Sequence, residues 1–243
     1  MPSDAEMTNY DPIAERFIEH AGREDSWNNL YERPNTIARL PALEGKDVLD
    51  LGCSTGFFTE YALGKGVKSV TSVDASQKLV DKLAGRIKDK RLTTHCADIG
   101  QPMPFLKSDF YDVIICSLVM DYIKDWQPMM AEFHRVLKKG GRVVIATGHP
   151  FASYLYLSRQ NRVESYFAFK MIEDTWAVRS QKPFKTHYYI RPLHEVLRPM
   201  IQSKFKIISI DEPLPDERCK EISPETYEDL MERPSFLFIV LEK

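Results

Sequence analysis

Gly52, Ser54 and Gly56 follow one another at every second position, directly behind the apolar-rich run Asp47–Leu51. A strand that enters a turn of small residues and then a helix lets a ligand approach the backbone, with the amides of the helix N-terminus facing it. Asp74 closes a second β-rich run, Val67–Val73, 22 residues after Gly52, a spacing that suits a carboxylate accepting both hydroxyls of a ribose. Asp98 follows a third run, Arg91–Ala97, where an acid can accept from a ligand amino group or cap a helix. His149, just past a fifth run, is a candidate general base or a residue that ties down the following loop.

Two familiar chemistries compete for this turn. Gly52–Gly56 formally reads G-x-S-x-G with Ser54 as nucleophile, but that elbow needs several strands before it, and here it follows the first. A dinucleotide site suits the interval to Asp74, yet its G-x-G-x-x-G pattern wants a glycine where Ser54 stands.

The elements that must position these residues alternate in type. Thr55–Leu63 has apolar residues at helical spacing and stops near Gly64 and Gly66, while Ser76 caps a helix whose Leu79, Val80, Leu83 and Ile87 share a face. Tyr111–Ser117 is nearly all apolar, as a strand covered on both faces must be. Asp125 and Pro128 open a helix expected to end at Gly140-Gly141, ahead of a strand over Arg142–Thr147. Strand–helix alternation predicts an α/β, doubly wound fold with parallel strands and right-handed crossovers. A helix around Leu193–Gln202 and two strands, Phe205–Ile210 and Ser235–Leu241, complete it. Residues 1–46, expected to be helical with a break at Pro34, and the aromatic-rich stretch 150–192 are expected to pack over the sheet's carboxyl edge as a cap.

The 243 residues, 43% of them hydrophobic, suffice for one sizeable core and are read as a single domain. A net charge of −2 supplies no basic surplus for a nucleic-acid partner. Val113–Met120 and Phe236–Leu241 fall far short of the roughly 20 residues of a membrane helix, and Met1–Tyr10 is too polar for a signal peptide. Cys53, Cys96, Cys116 and Cys219 show no CxxC or paired pattern. Free thiols in a cytoplasmic, reducing compartment and no zinc site are therefore expected.

Asp50-Leu51-Gly52-Cys53-Ser54-Thr55-Gly56 resembles the first signature of the class I S-adenosylmethionine (SAM)-dependent methyltransferases. Asp112–Tyr122 and Leu137–Gly141 resemble the type 11, small-molecule branch. Tyr31-Glu32-Arg33-Pro34, His149-Pro150 and Arg191-Pro192 resemble segments of its bacterial members. The resemblance implies a Rossmann-like sheet of seven strands in the order 3-2-1-4-5-7-6, the last antiparallel. SAM is the implied cofactor, with S-adenosylhomocysteine (SAH) as product. Asp50, Gly52, Cys53 and Ser54 are implied to form the turn around its methionine part, and Asp74 with Ala75 to hold the ribose. Ala97, Asp98 and Ile99 are implied to hold the adenine, with Ser117 and Leu118 beneath the sulfonium. The implied reaction is in-line methyl transfer to a small-molecule acceptor. Tyr31, Tyr122, Tyr188 and Arg191 are candidate acceptor contacts, each with ordinary packing as its alternative. An NAD-dependent oxidoreductase and a non-catalytic SAM-binding protein stay open beside this reading. The family usually has glycine where Ser54 stands, and a positive φ there would strain a serine.

Overall fold

Val48, Leu49 and Leu51 are all fully buried, because β1 (Asp47–Leu51) runs through the middle of a sheet covered on both faces. The computed structural model describes residues 22–176 and 184–243, together with Asp11, Ala14 and Ile18. Met1–Tyr10 and the side chains of Trp176 and Phe184 lie outside the described residues.

β1 pairs in parallel with β2 (Ser69–Asp74) on one side and β4 (Tyr111–Ser117) on the other. β3 (Leu92–Cys96) extends the sheet beyond β2, and β5 (Leu137–Gly148) extends it beyond β4. β9 (Phe236–Glu242) lies antiparallel between β5 and β8 (Lys206–Asp211). The order β3-β2-β1-β4-β5-β9-β8 is the seven-stranded order anticipated from the resemblance, the last strand in sequence being the antiparallel one. Because side chains alternate across a strand, Val48, Val70 and Val113 pack with Phe58 and Ala62, whereas Leu49, Leu51 and Ile114 pack with Trp126 and Phe133. The strand order reverses between β1 and β4, which opens a crevice at their carboxyl ends.

Several elements differ from expectation. Pro34 is no break: a π-helical turn, Asn28–Glu32, runs straight into α1 (Arg33–Arg39), with Pro34 in its first turn. α2 (Phe57–Gly64) and α3 (Gln77–Arg86) follow the predicted pattern, and Ser76 Oγ caps α3 by accepting from the Leu79 amide. α4 (Trp126–Val136) stops short of Gly140-Gly141 because β5 begins at Leu137. The two glycines lie inside β5. Gly140 has φ +75°, and a Cβ on Gly141 would come within 3.0 Å of the Asp112 carbonyl oxygen. The aromatic stretch folds as α5 (Pro150–Arg159) and a separate antiparallel hairpin of β6 (Lys170–Trp176) and β7 (Phe184–Ile190). α6 (Leu193–Gln202) falls where predicted. Two short helices that the sequence reading did not assign, α7 (Glu217–Ile222) and α8 (Pro224–Glu232), link β8 to β9.

Candidate active site

The turn after β1 is a stack of left-handed residues: Gly52 at φ 69°, Ser54 at 48° and Gly56 at 84°. Its amides are anchored to β2, since Gly52 N and Cys53 N both donate to the Val73 carbonyl, at 2.8 and 3.0 Å. Asp74 completes the anchor. Its Oδ2 accepts from Ser54 N at 2.8 Å and its Oδ1 from Ser76 N at 2.9 Å. Glycine is obligatory at 52 for a second reason: a Cβ there would lie 2.7 Å from Cβ of Val119.

A cavity opens over this turn. Gly52, Cys53, Ser54, Asp74 and Ala75 line it from β1 and β2, Asp98 and Ile99 from beyond β3, and Ser117 and Leu118 from the end of β4. Most of the implied cofactor residues are thereby brought together, and two are not. Asp50 is buried behind the turn, where its Oδ2 accepts from Thr59 Oγ1 of α2 at 2.7 Å. Ala97 extends the ladder between β3 and β2, its amide donating to Asp74 O at 3.0 Å. Asp98 is preorganised by Gly100 N, which donates to its Oδ1 at 2.8 Å.

Two charged lining residues escaped the sequence reading. Glu32 and Arg33 enter the cavity from the junction of the π-turn and α1. Glu32 is 1% exposed, and its Oε1 accepts from both Ser117 Oγ and Thr36 Oγ1, each at 2.6 Å. Arg33 lies with its guanidinium 4.1 Å from the centre of the Phe57 ring. Both belong to the Tyr31–Pro34 segment already singled out. An extra residue in a helical turn re-aims its side chains, a geometry found at functional sites, and no periodicity rule locates it.

A second cavity shares Asn28, Leu118 and Tyr122 with the first and continues beneath the cap. Tyr122 and Tyr188 line it, and the Tyr188 hydroxyl donates to Asp174 Oδ2 at 3.4 Å. The other acceptor-side candidates sit elsewhere. Tyr31 is fully buried between Phe236 and Phe238, and its hydroxyl donates to Pro213 O at 2.5 Å, so it packs rather than binds. Arg191 is buried over the Trp126 ring and donates to Ile123 O at 2.6 Å, which fixes the turn after β4 without reaching either cavity. His149 also lines neither cavity. Its Nδ1 accepts from Ala152 N as the N-cap of α5, and its Nε2 lies 2.5 Å from Glu212 Oε1, so both ring nitrogens are engaged and the base assignment is not supported.

Residues 49–145 match the family described as "Methyltransferase domain" (Methyltransf_11). An uncharacterized protein of Haemophilus influenzae is 25% identical over 231 residues, covering 90% of this chain and 89% of that one. A ubiquinone biosynthesis O-methyltransferase of Coxiella burnetii is 29% identical over 157 residues; the match takes in 62% of this chain and only 65% of that enzyme's length. An S-adenosylmethionine dependent methyltransferase from Mesorhizobium loti has the same fold, with a TM-score of 0.69 at 22% identity over 87% of this chain and 97% of that one. Over residues 49–145 the chain carries a methyltransferase domain, and it shares the fold of SAM-dependent methyltransferases.

The residues of this methyltransferase suit SAM on their own evidence. Ser54 lines the cavity, and its Oγ is buried with no hydrogen-bond partner among the described residues. Among the described residues no base bonds to that hydroxyl, which leaves the nucleophile reading without support. Glu32, Asp50 and Asp74 form an acidic shell about the turn. Burial raises all three carboxyls, Asp50 to about 7, with Asp74 and Glu32 adding to the push on it. A cofactor that carries a sulfonium and an ammonium compensates the ionised forms of these acids, which a dinucleotide's pyrophosphate does not. Among the described residues, no helix of the methyltransferase is long and apolar enough to cross a membrane.

Proposed function

We propose that the methyltransferase transfers the SAM methyl group by in-line displacement to a small-molecule acceptor seated in the second cavity. The observation that carries this reading is the shared wall: Asn28, Leu118 and Tyr122 face both cavities, so an acceptor beneath the cap meets a cofactor over the glycine turn. In this reading residues 1–46 and 150–192 form one acceptor-side cap on a single domain, and the protein works in the cytoplasm. SAM, when bound, supplies an electrophilic methyl group on a positively charged sulfur. Asp74 accepts the ribose hydroxyls, while Asp98 and the Ile99 amide hold the adenine. Arg33 takes the methionine carboxylate in a charge-assisted bond, and Glu32 and Ser54 Oγ hold its ammonium end. Ser117, fixed by its bond to Glu32, and Leu118 support the reacting end. The chain's work is positioning and exclusion of water, which can supply much of the rate of a displacement at carbon.

Calorimetric titration with SAM, SAH and NAD, on the wild type and on Asp74→Ala, tests the reading. Micromolar binding of the two sulfur cofactors is expected, with no NAD binding and a loss of about 1.5–3 kcal/mol in the variant, since a charged hydrogen-bond partner disappears. Binding of NAD alone would make the chain a dehydrogenase.

A further inference from the structure

We infer that the acceptor is an amine, held as an ammonium against the carboxylate of Asp121 and enclosed by aromatic faces. This rests on the reading of the second cavity as the acceptor site.

Asp121 follows β4 in the short turn Met120–Tyr122, between the two shared wall residues Leu118 and Tyr122, and lines the second cavity. Its carboxylate is held from the β5 side, where Oδ1 accepts from Thr147 Oγ1 at 2.7 Å and Oδ2 from Gly148 N at 2.8 Å. Both donors are neutral. Each carboxylate oxygen has a second lone pair, so the group can accept from a ligand without losing its anchors. Among the described residues no lysine, arginine or histidine forms an ion pair with it. Burial raises its pKa above the ordinary carboxylate value, against which the Gly148 and Thr147 donors act first and Arg191, which donates to Ile123 O, acts from a distance.

The second acid of the cavity, Asp174 on β6, is already partnered, by Arg162 at 3.3 Å and by the Tyr188 hydroxyl. Trp27, Tyr156, Tyr188 and Phe236 supply ring faces, and Arg233 is the single cation among the described lining residues. Head groups are not equivalent in such a site. A carboxylate, phosphate, thiolate or phenolate brings a like charge to Asp121. An alcohol leaves that charge uncompensated. An ammonium neutralises it and is attracted by the ring faces as well.

The step balances with the groups named. The bound ammonium passes one proton to a carboxylate oxygen of Asp121, for which desolvation favours the protonated form. The freed nitrogen lone pair forms the N–C bond as the methyl's C–S bond breaks and its electron pair stays on sulfur. The products are an N-methylammonium and neutral SAH, and Asp121 then releases its proton to water.

The test uses the full chain saturated with SAH and three probes of one shape: 2-phenylethylamine, 2-phenylethanol and 3-phenylpropionate. Calorimetry should find the amine at least ~10-fold tighter than either isostere, a preference of the size expected for one compensated charge with ring contacts. Asp121→Asn should erase that preference with SAH affinity kept, which also reports that the variant is folded. Should Asp121→Asn fail to bind SAH, Tyr156→Ala, at a ring 45% exposed, serves in its place and should weaken the amine several-fold. Any other order of wild-type affinities, including no measurable amine binding, overturns the inference, as does an amine affinity that the variant leaves unchanged. Failure of the wild type to bind SAH at all would instead overturn the underlying reading of the site.

Discussion

Ser54 carries a side chain at φ 48°, where Cβ crowds the following carbonyl and glycine alone sits freely. The turn holds it there through the bond from its amide to Asp74. The conformation costs roughly 1 kcal/mol relative to glycine, and it holds a hydroxyl that has no hydrogen-bond partner among the described residues. Ser54→Gly is expected to raise the melting temperature by ~2–4 °C, the shift that 1 kcal/mol produces in a chain of this size. The same variant should bind SAM about 1 kcal/mol more weakly, because one hydrogen bond to the ligand is lost. Thermal melting with and without SAM measures both effects in one series.

At the scale of elements, α5 matters because it carries Ala152, Ser153 and Tyr156 to the second cavity. Its start is set by His149, whose Nδ1 takes the Ala152 amide and whose Nε2 reaches Glu212 in the segment after β8. Removing a cap of this kind costs about 1 kcal/mol. His149→Ala should therefore lower the melting temperature while the pH profile of turnover keeps its shape. A lost basic limb in that profile would restore histidine as the base. The π-helical turn before α1 does the corresponding work on the other side, where it turns Glu32 and Arg33 toward the first cavity while Tyr31 points into the core.

For the molecule as a whole, the acidic shell ties stability to pH. Burial pushes the Asp50 carboxyl up to about 7 in the fold, from an ordinary carboxylate value of 3.8. The folded chain therefore binds more protons than the unfolded chain across that interval. The contribution is fully present below about pH 4 and is lost as pH rises through 7. Urea unfolding of the ligand-free chain should show higher stability at pH 5.5 than at pH 8, and Asp50→Asn should flatten the difference. SAM should recover part of the loss at pH 8, since a cation placed near the shell favours its ionised form.

The places of the glycine turn, Asp74 and Asp98 at strand ends were legible in the chain itself, and they rest on local requirements: left-handed residues between a strand and a helix, an acid at a strand end, and apolar runs that must be covered on both faces. The strand order followed from the family resemblance and not from those requirements. The end of α4 was misread because Gly140-Gly141 looks like a helix stop, whereas close approach of the Asp112 carbonyl across β4 and β5 calls for glycine at 141. The side chains that reach the cavities were decided by packing between distant segments. Tyr31, His149 and Arg191 are aromatic or ionisable residues near the right edge, yet each finds its partner in another part of the chain: Pro213, Glu212 and Ile123. Glu32 gained its place because Ser117, 85 residues away, donates to it. Composition and spacing report what a segment can form alone. Which face of it meets the ligand depends on contacts that exist only once the sheet and its cap are assembled.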